Sequence, residues 1–269
     1  MVKSKIIFVD SDGTIMDSMT PKHEYAFGPA FVETFGLEKH KDIVLKEWNR
    51  LNLYSTTRGI NRFEGCYLVL KYVDENIQKI SFLKDYKTFL ENSNEKSTKA
   101  IEKYIDETGL TELKKVVAFS NKTNELIIKN KDKIKPFNNA KLGLEKLSKK
   151  YTIIIISSAN YEAVKDEWTK FDLIKYVDEI CTQEMGTKKI CIAKMLQKYQ
   201  PSHALMMGDA LGDLDAANQN SINFYPIKPM KEEESWKEFL ETFEKKFSTN
   251  TYVLVQNDVN NDFKKYLDR

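Results

Sequence analysis

Residues 6–14 read IIFVDSDGT, in which four apolar residues are followed by two aspartates on either side of a serine. A short β-branched and aromatic run that stops at polar residues is typical of a buried strand. Gly13 then allows the chain to turn sharply. Because ligands bind beyond the carboxyl ends of parallel strands, the stretch predicts that Asp10 and Asp12 reach one common ligand.

Similar apolar runs recur later in the chain, with amphipathic helical patterns between them. They predict strands at Thr152–Ile156, Ala204–Met207 and Asn223–Tyr225, and a weaker strand at Glu179–Thr182. Strands that alternate with helices favour a parallel sheet covered on both faces. We therefore predict an α/β fold with a doubly wound, Rossmann-like core.

A long segment without a strand pattern separates the first strand from the others. Residues 18–135 carry apolar residues at helical spacing and predict an all-helical domain inserted into the core. Pro136 marks the return to the core, because proline disfavours helix in the residue before it. The core is then expected at residues 1–17 and 136–269. The helices of the insert are expected at Glu24–Phe35, His40–Leu51, Arg62–Val73, Ile80–Leu90, Lys96–Asp106 and Thr123–Lys131.

The composition is that of a folded globular protein, and it argues against some partners. Of the 269 residues, 41% are apolar and 30% charged, and 42 basic against 40 acidic residues give a net charge of +2. Such a balance provides no general attraction to nucleic acid or to an anionic membrane, so neither is an expected partner. No apolar run is long enough to span a bilayer, and the N-terminus lacks a signal-peptide pattern.

The number and spacing of the cysteines indicate a reducing environment. Cys66, Cys181 and Cys191 are odd in number and widely spaced, which predicts neither a disulfide framework nor a zinc site. Free thiols in a reducing environment are the simplest interpretation. We therefore expect a cytoplasmic protein.

A second group of carboxylates follows the predicted strand Ala204–Met207. Asp209 and Asp213 stand just beyond its end, where they would join Asp10 and Asp12. Like charges this close repel one another, so the cluster needs a cation. Oxygen ligands without a nearby His or Cys favour a hard ion, and we expect Mg²⁺.

Hydroxyls and amides suited to a phosphate oxygen follow two of the predicted strands. Ser157, Ser158 and Asn160 come after Thr152–Ile156, and Thr14 follows the two aspartates of the first strand.

A lysine at the start of a helix could neutralise phosphate charge. Residues 186–189 read GTKK, and Thr187 is a suitable N-cap. Lys188 and Lys189 both stand at the right place. We favour Lys188, because it directly follows the Gly-Thr turn and leaves the apolar residues of the helix on one inward face.

Taken together, these motifs resemble the four motifs of the haloacid dehalogenase superfamily. DxDGT at residues 10–14, Ser157 after an apolar strand, a lysine at a helix start and GDxxxD at residues 208–213 occur in that family's order. DxDGT alone fixes four residues, and a chance match is roughly a one-in-hundreds event in a chain of this size. The helical insert resembles the family's α-helical cap.

The resemblance implies a role for each matching residue. Asp10 would attack phosphorus and form an aspartyl-phosphate, and Asp12 would protonate the leaving group and then activate water. Ser157 and Lys188 would hold the phosphoryl group. Mg²⁺ would be bound by the side chains of Asp10 and Asp209, by the backbone carbonyl of Asp12, and directly or through water by Asp213.

The family's members with a second aspartate are typically phosphatases or phosphomutases. We therefore expect a phosphatase that acts on a small phosphorylated metabolite, as a monomer or homodimer. A phosphomutase that returns the phosphoryl group to a sugar is one alternative. A non-catalytic binding module on the same fold is another, although it would not need Asp12.

A polar stretch of the insert is a candidate for substrate binding. Residues 54–63 read YSTTRGINRF, and Arg58 and Arg62 could bind an anionic substrate there. The alternative is an exposed loop that leads into a helix.

Overall fold

The computed structural model describes residues 3–268, so residues 1, 2 and 269 of the predicted core lie outside the described part. The chain forms two compact units. A core unit comprises the residues up to Met19 and those from Ile134 onward, and a helical unit comprises Thr20–Lys133. The predicted domain boundaries stood at 17/18 and 135/136, and the units change over at 19/20 and 133/134.

A parallel sheet forms the centre of the core unit. The strands of the core unit, of which β2 and β3 lie outside this sheet, are β1 (Ile6–Val9), β2 (Met16–Asp17), β3 (Lys135–Pro136), β4 (Thr152–Ile156), β5 (Glu179–Cys181), β6 (Ala204–Gly208) and β7 (Asn223–Pro226). Within residues 3–268 the main sheet has five strands in the order β5-β4-β1-β6-β7. The pairs in this sheet are parallel, and β1 lies between β4 and β6.

The sheet is buried on both faces, which explains its continuous apolar runs. Ile7 and Val9 pack into one apolar cluster with Trp168, while Phe8 packs into a second cluster with Ile192. The predicted α/β class is confirmed. The bounds of β1 and β4 agree with the prediction, whereas β6 and β7 end one residue later and β5 one residue earlier.

A short antiparallel ribbon joins β2 to β3, and the sequence patterns did not predict it. Met16 pairs with Pro136 and Asp17 pairs with Lys135. Strands of two residues are too short for any periodicity to be read from them.

The helical unit is built from amphipathic helices around its own apolar cluster. The helices are α1 (Met19–Lys22), a π-helical turn (His23–Phe27), α2 (Gly28–Phe35), α3 (Lys41–Leu53), α4 (Arg62–Asn76), α5 (Leu83–Asn92), α6 (Thr98–Thr108) and α7 (Lys114–Lys129). The predicted helix Thr123–Lys131 is wrong at both ends. Helix α7 begins at Lys114, because Val116 and Phe119 extend its buried face, and a separate 3₁₀ turn follows it.

The remaining helices cover the sheet. They are α8 (Asn138–Leu147), α9 (Tyr161–Lys170), α10 (Lys188–Met195), α11 (Leu211–Gln219), α12 (Glu232–Glu238), a π-helical turn (Phe239–Phe243), α13 (Glu244–Ser248) and α14 (Gln256–Leu267). The segment after β7 thus packs on the core through Trp236, Phe239 and Phe247. No helix in residues 3–268 is both long and apolar enough to cross a membrane.

Candidate active site

Asp10 stands where the central strand of the sheet ends. Its amide donates to the carbonyl of Met207 at 2.9 Å, which extends the pairing of β1 with β6 by one residue. The side chain therefore leaves the sheet at its carboxyl edge, where ligands bind in folds of this type. Only 6% of Asp10 is exposed.

The stretch Asp10–Thr14, which we call the nucleophile loop after the role predicted for Asp10, turns tightly after β1. The amides of Ile15 and Met16 both donate to the carbonyl of Ser11, at 3.0 and 2.9 Å. Gly13 has φ of 74°, a conformation that favours glycine at this turn. The carboxylate of Asp12 accepts a hydrogen bond from the Ser18 hydroxyl. The turn thus gives Asp12 a fixed partner of its own.

Two more carboxylates come from the end of β6 and from the first turn of α11. Asp209 and Asp213 are 2% and 0% exposed. Asp213 accepts from the amide of Ala210 at 3.1 Å, and Asp209 accepts from the Thr14 hydroxyl at 3.3 Å. Gly208 makes room for this arrangement, since a Cβ there would lie 2.3 Å from Cγ of Asp213.

Lys188 joins the two halves of the cluster. Its Nζ lies 2.9 Å from Oδ1 of Asp10 and 2.6 Å from Oδ1 of Asp213. The Thr187 hydroxyl caps α10 by accepting from the amide of Ile190 at 3.4 Å, which sets Lys188 at the first position of the helix. Lys189 is exposed, so the structure brings Lys188 and not Lys189 into the cluster.

The cluster carries more negative than positive charge. Burial raises the pKa of Asp10 well above its ordinary value. Repulsion from Asp213 and Asp209 raises this pKa further, and the attraction of Lys188 offsets only part of the increase. Burial also raises the pKa of Asp213. For Lys188 burial acts in the opposite direction, but the two adjacent carboxylates outweigh it and the net pKa is raised. The raised pKa favours the charged form of the lysine, which contacts both carboxylates.

The donor set fits a hard divalent cation. One carboxylate oxygen from each of Asp10, Asp209 and Asp213 lies within 4.8 Å of the others. Oxygen ligands of this kind suit Mg²⁺, and a cation would relieve the repulsion among the buried charges. The carboxylate of Asp12 is not among these oxygens.

The predicted phosphate-binding residues after β4 have distinct environments. Ser157 is 4% exposed, and its Oγ accepts from the amide of Ala159 at 3.1 Å, which leaves its proton free to be donated. Asn160 caps α9 through a 2.9 Å bond from the amide of Ala163. Ser158 is exposed. Of these residues, Ser157 is the one whose hydroxyl is buried beside the end of β4.

Arg58 and Arg62 both make contacts inside the helical unit. Arg58 is 3% exposed and donates to the carbonyl of Leu53 at 2.9 Å. Arg62 donates to Oδ1 of Asn124 at 2.7 Å, and its guanidinium lies 5.3 Å from the ring centre of Phe27. Burial lowers the pKa of Arg62. Substrate binding by these two arginines stays a prediction.

Two tryptophans bond to the nucleophile loop, and the sequence patterns did not predict it. Trp168 of α9 donates to Oγ of Ser11 at 2.9 Å, and Trp236 of α12 donates to the Thr14 carbonyl at 2.8 Å. The helical spacing of both residues indicates only that they face the core. A periodic pattern carries no information on where an indole N–H points.

Comparison with known proteins identifies the family of the chain. The family model for haloacid dehalogenase-like hydrolases matches residues 60–227, more than half of the chain, in a match that begins after the nucleophile loop. A search of curated proteins found no match.

The fold itself recurs among solved structures. A predicted phosphatase from Clostridium acetobutylicum superposes with a TM-score of 0.53 and 16% identity, with 89% of this chain and 100% of that chain covered. A predicted phosphoglycolate phosphatase from Haemophilus somnus 129pt gives a TM-score of 0.50 and 16% identity, over 90% of this chain and 99% of that one. At this identity the likeness shows a shared fold.

Proposed function

This chain belongs to the haloacid dehalogenase-like hydrolases, and we propose that it is a Mg²⁺-dependent phosphatase that acts on a small phosphorylated metabolite. The observation that carries the proposal is the position of Lys188, whose ammonium group contacts both Asp10 and Asp213. A buried carboxylate with a cation beside it suits attack on an anionic phosphate, because the cation offsets the repulsion between them.

In the first step, a carboxylate oxygen of Asp10 attacks phosphorus and the bond from phosphorus to the leaving oxygen breaks. Asp12 gives its proton to that oxygen, so the product leaves as a neutral alcohol. The hydroxyl of Ser157 and the ammonium group of Lys188 bind the phosphoryl oxygens. The new bond is an aspartyl-phosphate on Asp10.

In the second step, Asp12 takes a proton from water, whose oxygen then attacks phosphorus. The bond between phosphorus and Asp10 breaks, so inorganic phosphate leaves and the carboxylate is restored. The Ser18 hydroxyl donates to Asp12, and this bond supports a fixed orientation of the acid–base group in both steps.

Asp10, Asp209 and Asp213 would hold the metal ion through their side chains, and Asp12 through its backbone carbonyl. A bound Mg²⁺ offsets the negative charge of the carboxylates and the phosphate oxygens. Thr14 supports the site from the protein side, because its hydroxyl donates to Asp209.

For the substrate, we propose a small molecule with a second anionic or polar group. The guanidinium of Arg62 bonds to the neutral side chains Ser120 and Asn124. A guanidinium with neutral partners can still bind a carboxylate or phosphate with a gain in electrostatic energy. Arg58 and the polar residues Ser158 and Asn160 are further candidates for contacts with the substrate.

A phosphate-release screen over many phosphorylated metabolites tests the proposal, with Mg²⁺ and with a chelator. The panel includes 2-phosphoglycolate, because one structural neighbour carries that substrate in its name. We expect turnover that requires Mg²⁺ and that is lost in Asp10→Asn. An Asp10→Asn protein with full activity would contradict the covalent mechanism.

A further inference from the structure

Two indole groups from distant parts of the chain hold the nucleophile loop. Trp168 and Trp236 are both fully buried. Their N–H groups donate to Ser11 and Thr14, at 2.9 and 2.8 Å. Buried donors of this kind are costly to leave without a partner, so each bond strongly favours one loop conformation.

The bond from Trp168 acts between the two aspartates. Ser11 separates Asp10 from Asp12, and its carbonyl already accepts from the amides of Ile15 and Met16. With the hydroxyl held as well, both ends of this residue are fixed. The peptide planes that join the nucleophile to the acid–base residue are therefore fixed with it.

The bond from Trp236 acts on the metal side of the loop. The carbonyl of Thr14 accepts from the indole, while its hydroxyl donates to Asp209 at 3.3 Å. One residue thus links Trp236 to a carboxylate of the acidic cluster.

Trp236 itself is held firmly in place, although it lies after residue 227, where the family match ends. Its ring packs on Gly143, where an added Cβ would lie 2.6 Å from Cε3 and Cζ3 of the indole. One turn earlier in α12, the Glu233 carboxylate accepts from the amides of Asn138 and Asn139, at 2.7 and 2.8 Å. These contacts fix α12 against the start of α8.

We propose that Trp168 and Trp236 are positioning residues for phosphoryl transfer, and that α12 supports the active site through Trp236. The inference rests on the proposed function. Neither indole touches the reacting atoms, and each acts through the residue to which it bonds. A small displacement of a reacting group costs much of the rate, so the loss of either bond lowers turnover more than it lowers substrate affinity.

The first test compares Trp168→Phe and Trp236→Phe with a matched control, Tyr252→Phe. The control also removes a buried donor of the C-terminal segment, since the Tyr252 hydroxyl donates to the Phe224 carbonyl at 2.8 Å. Each tryptophan variant should lower kcat about tenfold with KM changed by less than about twofold. The control should keep the wild-type kcat even where its melting temperature falls by as much.

Gly143→Ala provides a second variant that keeps the indole. The added methyl group displaces the ring of Trp236, while alanine favours the helix more than glycine does. We expect the same loss of kcat as in Trp236→Phe. If Trp236→Phe and Gly143→Ala both turn over as fast as Tyr252→Phe, the inference is wrong.

Hydrogen exchange separates this inference from the proposed function. The amides of Ile15 and Met16 should exchange faster in both tryptophan variants, and at the wild-type rate in Tyr252→Phe. If the wild-type protein releases phosphate from no ester, the proposed function fails, and these amides still report whether the indoles hold the loop. Unchanged exchange in both tryptophan variants would overturn the inference.

Discussion

The ammonium nitrogen of Lys188 lies 2.9 Å from Oδ1 of Asp10, the carboxylate at the end of the central strand. The contact joins residues from β1 and α10, and both side chains are largely buried. At this distance the lysine favours the ionised form of Asp10, which is the form that the proposed mechanism requires. The same nitrogen can bind an oxygen of the transferring group.

Replacing this lysine tests the contact. Lys188→Gln should lower kcat/KM by about 10²–10³, because it removes a charged donor from a buried site. The matched control is Lys189→Gln, since that side chain is exposed and its neutralisation should change the rate less than twofold by the same argument. The measurement is steady-state phosphate release. Equal effects at the two positions would contradict the assignment of Lys188.

Removal of the metal should reveal the repulsion within the acidic cluster. Without metal, Asp209→Asn should melt at a higher temperature than the wild type, because one buried negative charge is gone. With Mg²⁺ at about 100 times its Kd, the wild type should gain about 2.7 kcal/mol, or roughly 5–10 °C. The variant should gain much less. Calorimetry with Mg²⁺ and with chelator measures both, and an equal gain in the two proteins would argue against a metal site here.

Gly208 should tolerate no side chain. In Gly208→Ala the new Cβ would lie 2.3 Å from Cγ of Asp213, so Asp213 must move away from Lys188. We expect the free energy of unfolding to fall by about 1–3 kcal/mol, as is typical of overpacking, and most of the activity to be lost. Gly212→Ala is the control, since nothing lies within 4 Å of a Cβ there. Urea unfolding and phosphate release measure the two effects.

The thiol of Cys181 should resist alkylation at neutral pH. Burial raises its pKa from 9.0 to about 12. At pH 8 about 0.01% of the thiol is then ionised, against about 10% for a free cysteine, so modification should be about 10³-fold slower. In the double variant Cys66→Ala/Cys191→Ala, the rate of iodoacetamide labelling should rise steadily with pH beyond 9.

The sign of the same shift sets the effect on stability. Because the pKa is raised in the folded state, the stabilising contribution of the protonated thiol is present below pH 9 and is lost as the pH rises through about 12.

In the labelling experiment, a rate that levels off near pH 9 would instead mean that Cys181 reacts from a locally opened state.

The sheet could be predicted from the sequence because its strands are buried on both faces. Residues 152–156 read TIIII, a continuous apolar run that is typical of a strand buried on both faces. The β2–β3 ribbon could not be predicted, since Met16 pairs with Pro136 and the whole helical unit lies between these two residues in the sequence. The start of α7 was placed too late because two residues of its buried face, Ser120 and Thr123, are polar and interrupt the apolar pattern that Val116 and Phe119 begin.

The candidate site shows the same division. Asp10 and Asp209 directly follow β1 and β6, so sheet topology predicts that they meet, and Asp213 comes four residues after Asp209 in the first turn of α11. The choice of Lys188 over Lys189 followed from helix geometry, and the ion pair with Asp10 agrees with it. The bond from Trp236 to Thr14 joins residues 222 positions apart in the chain, and no local pattern could have predicted it.

The position of the helical unit also determines how the chain folds during synthesis. Strand β1 pairs with β4 and β6, and residues 20–133 are made before either of them. Translation at about 5–20 residues per second leaves the apolar β1 without partners for roughly 7–30 s. The helical unit is contiguous and can fold within that interval. We therefore expect chaperones that recognise short apolar segments to bind the nascent chain at β1 until β4 leaves the ribosome.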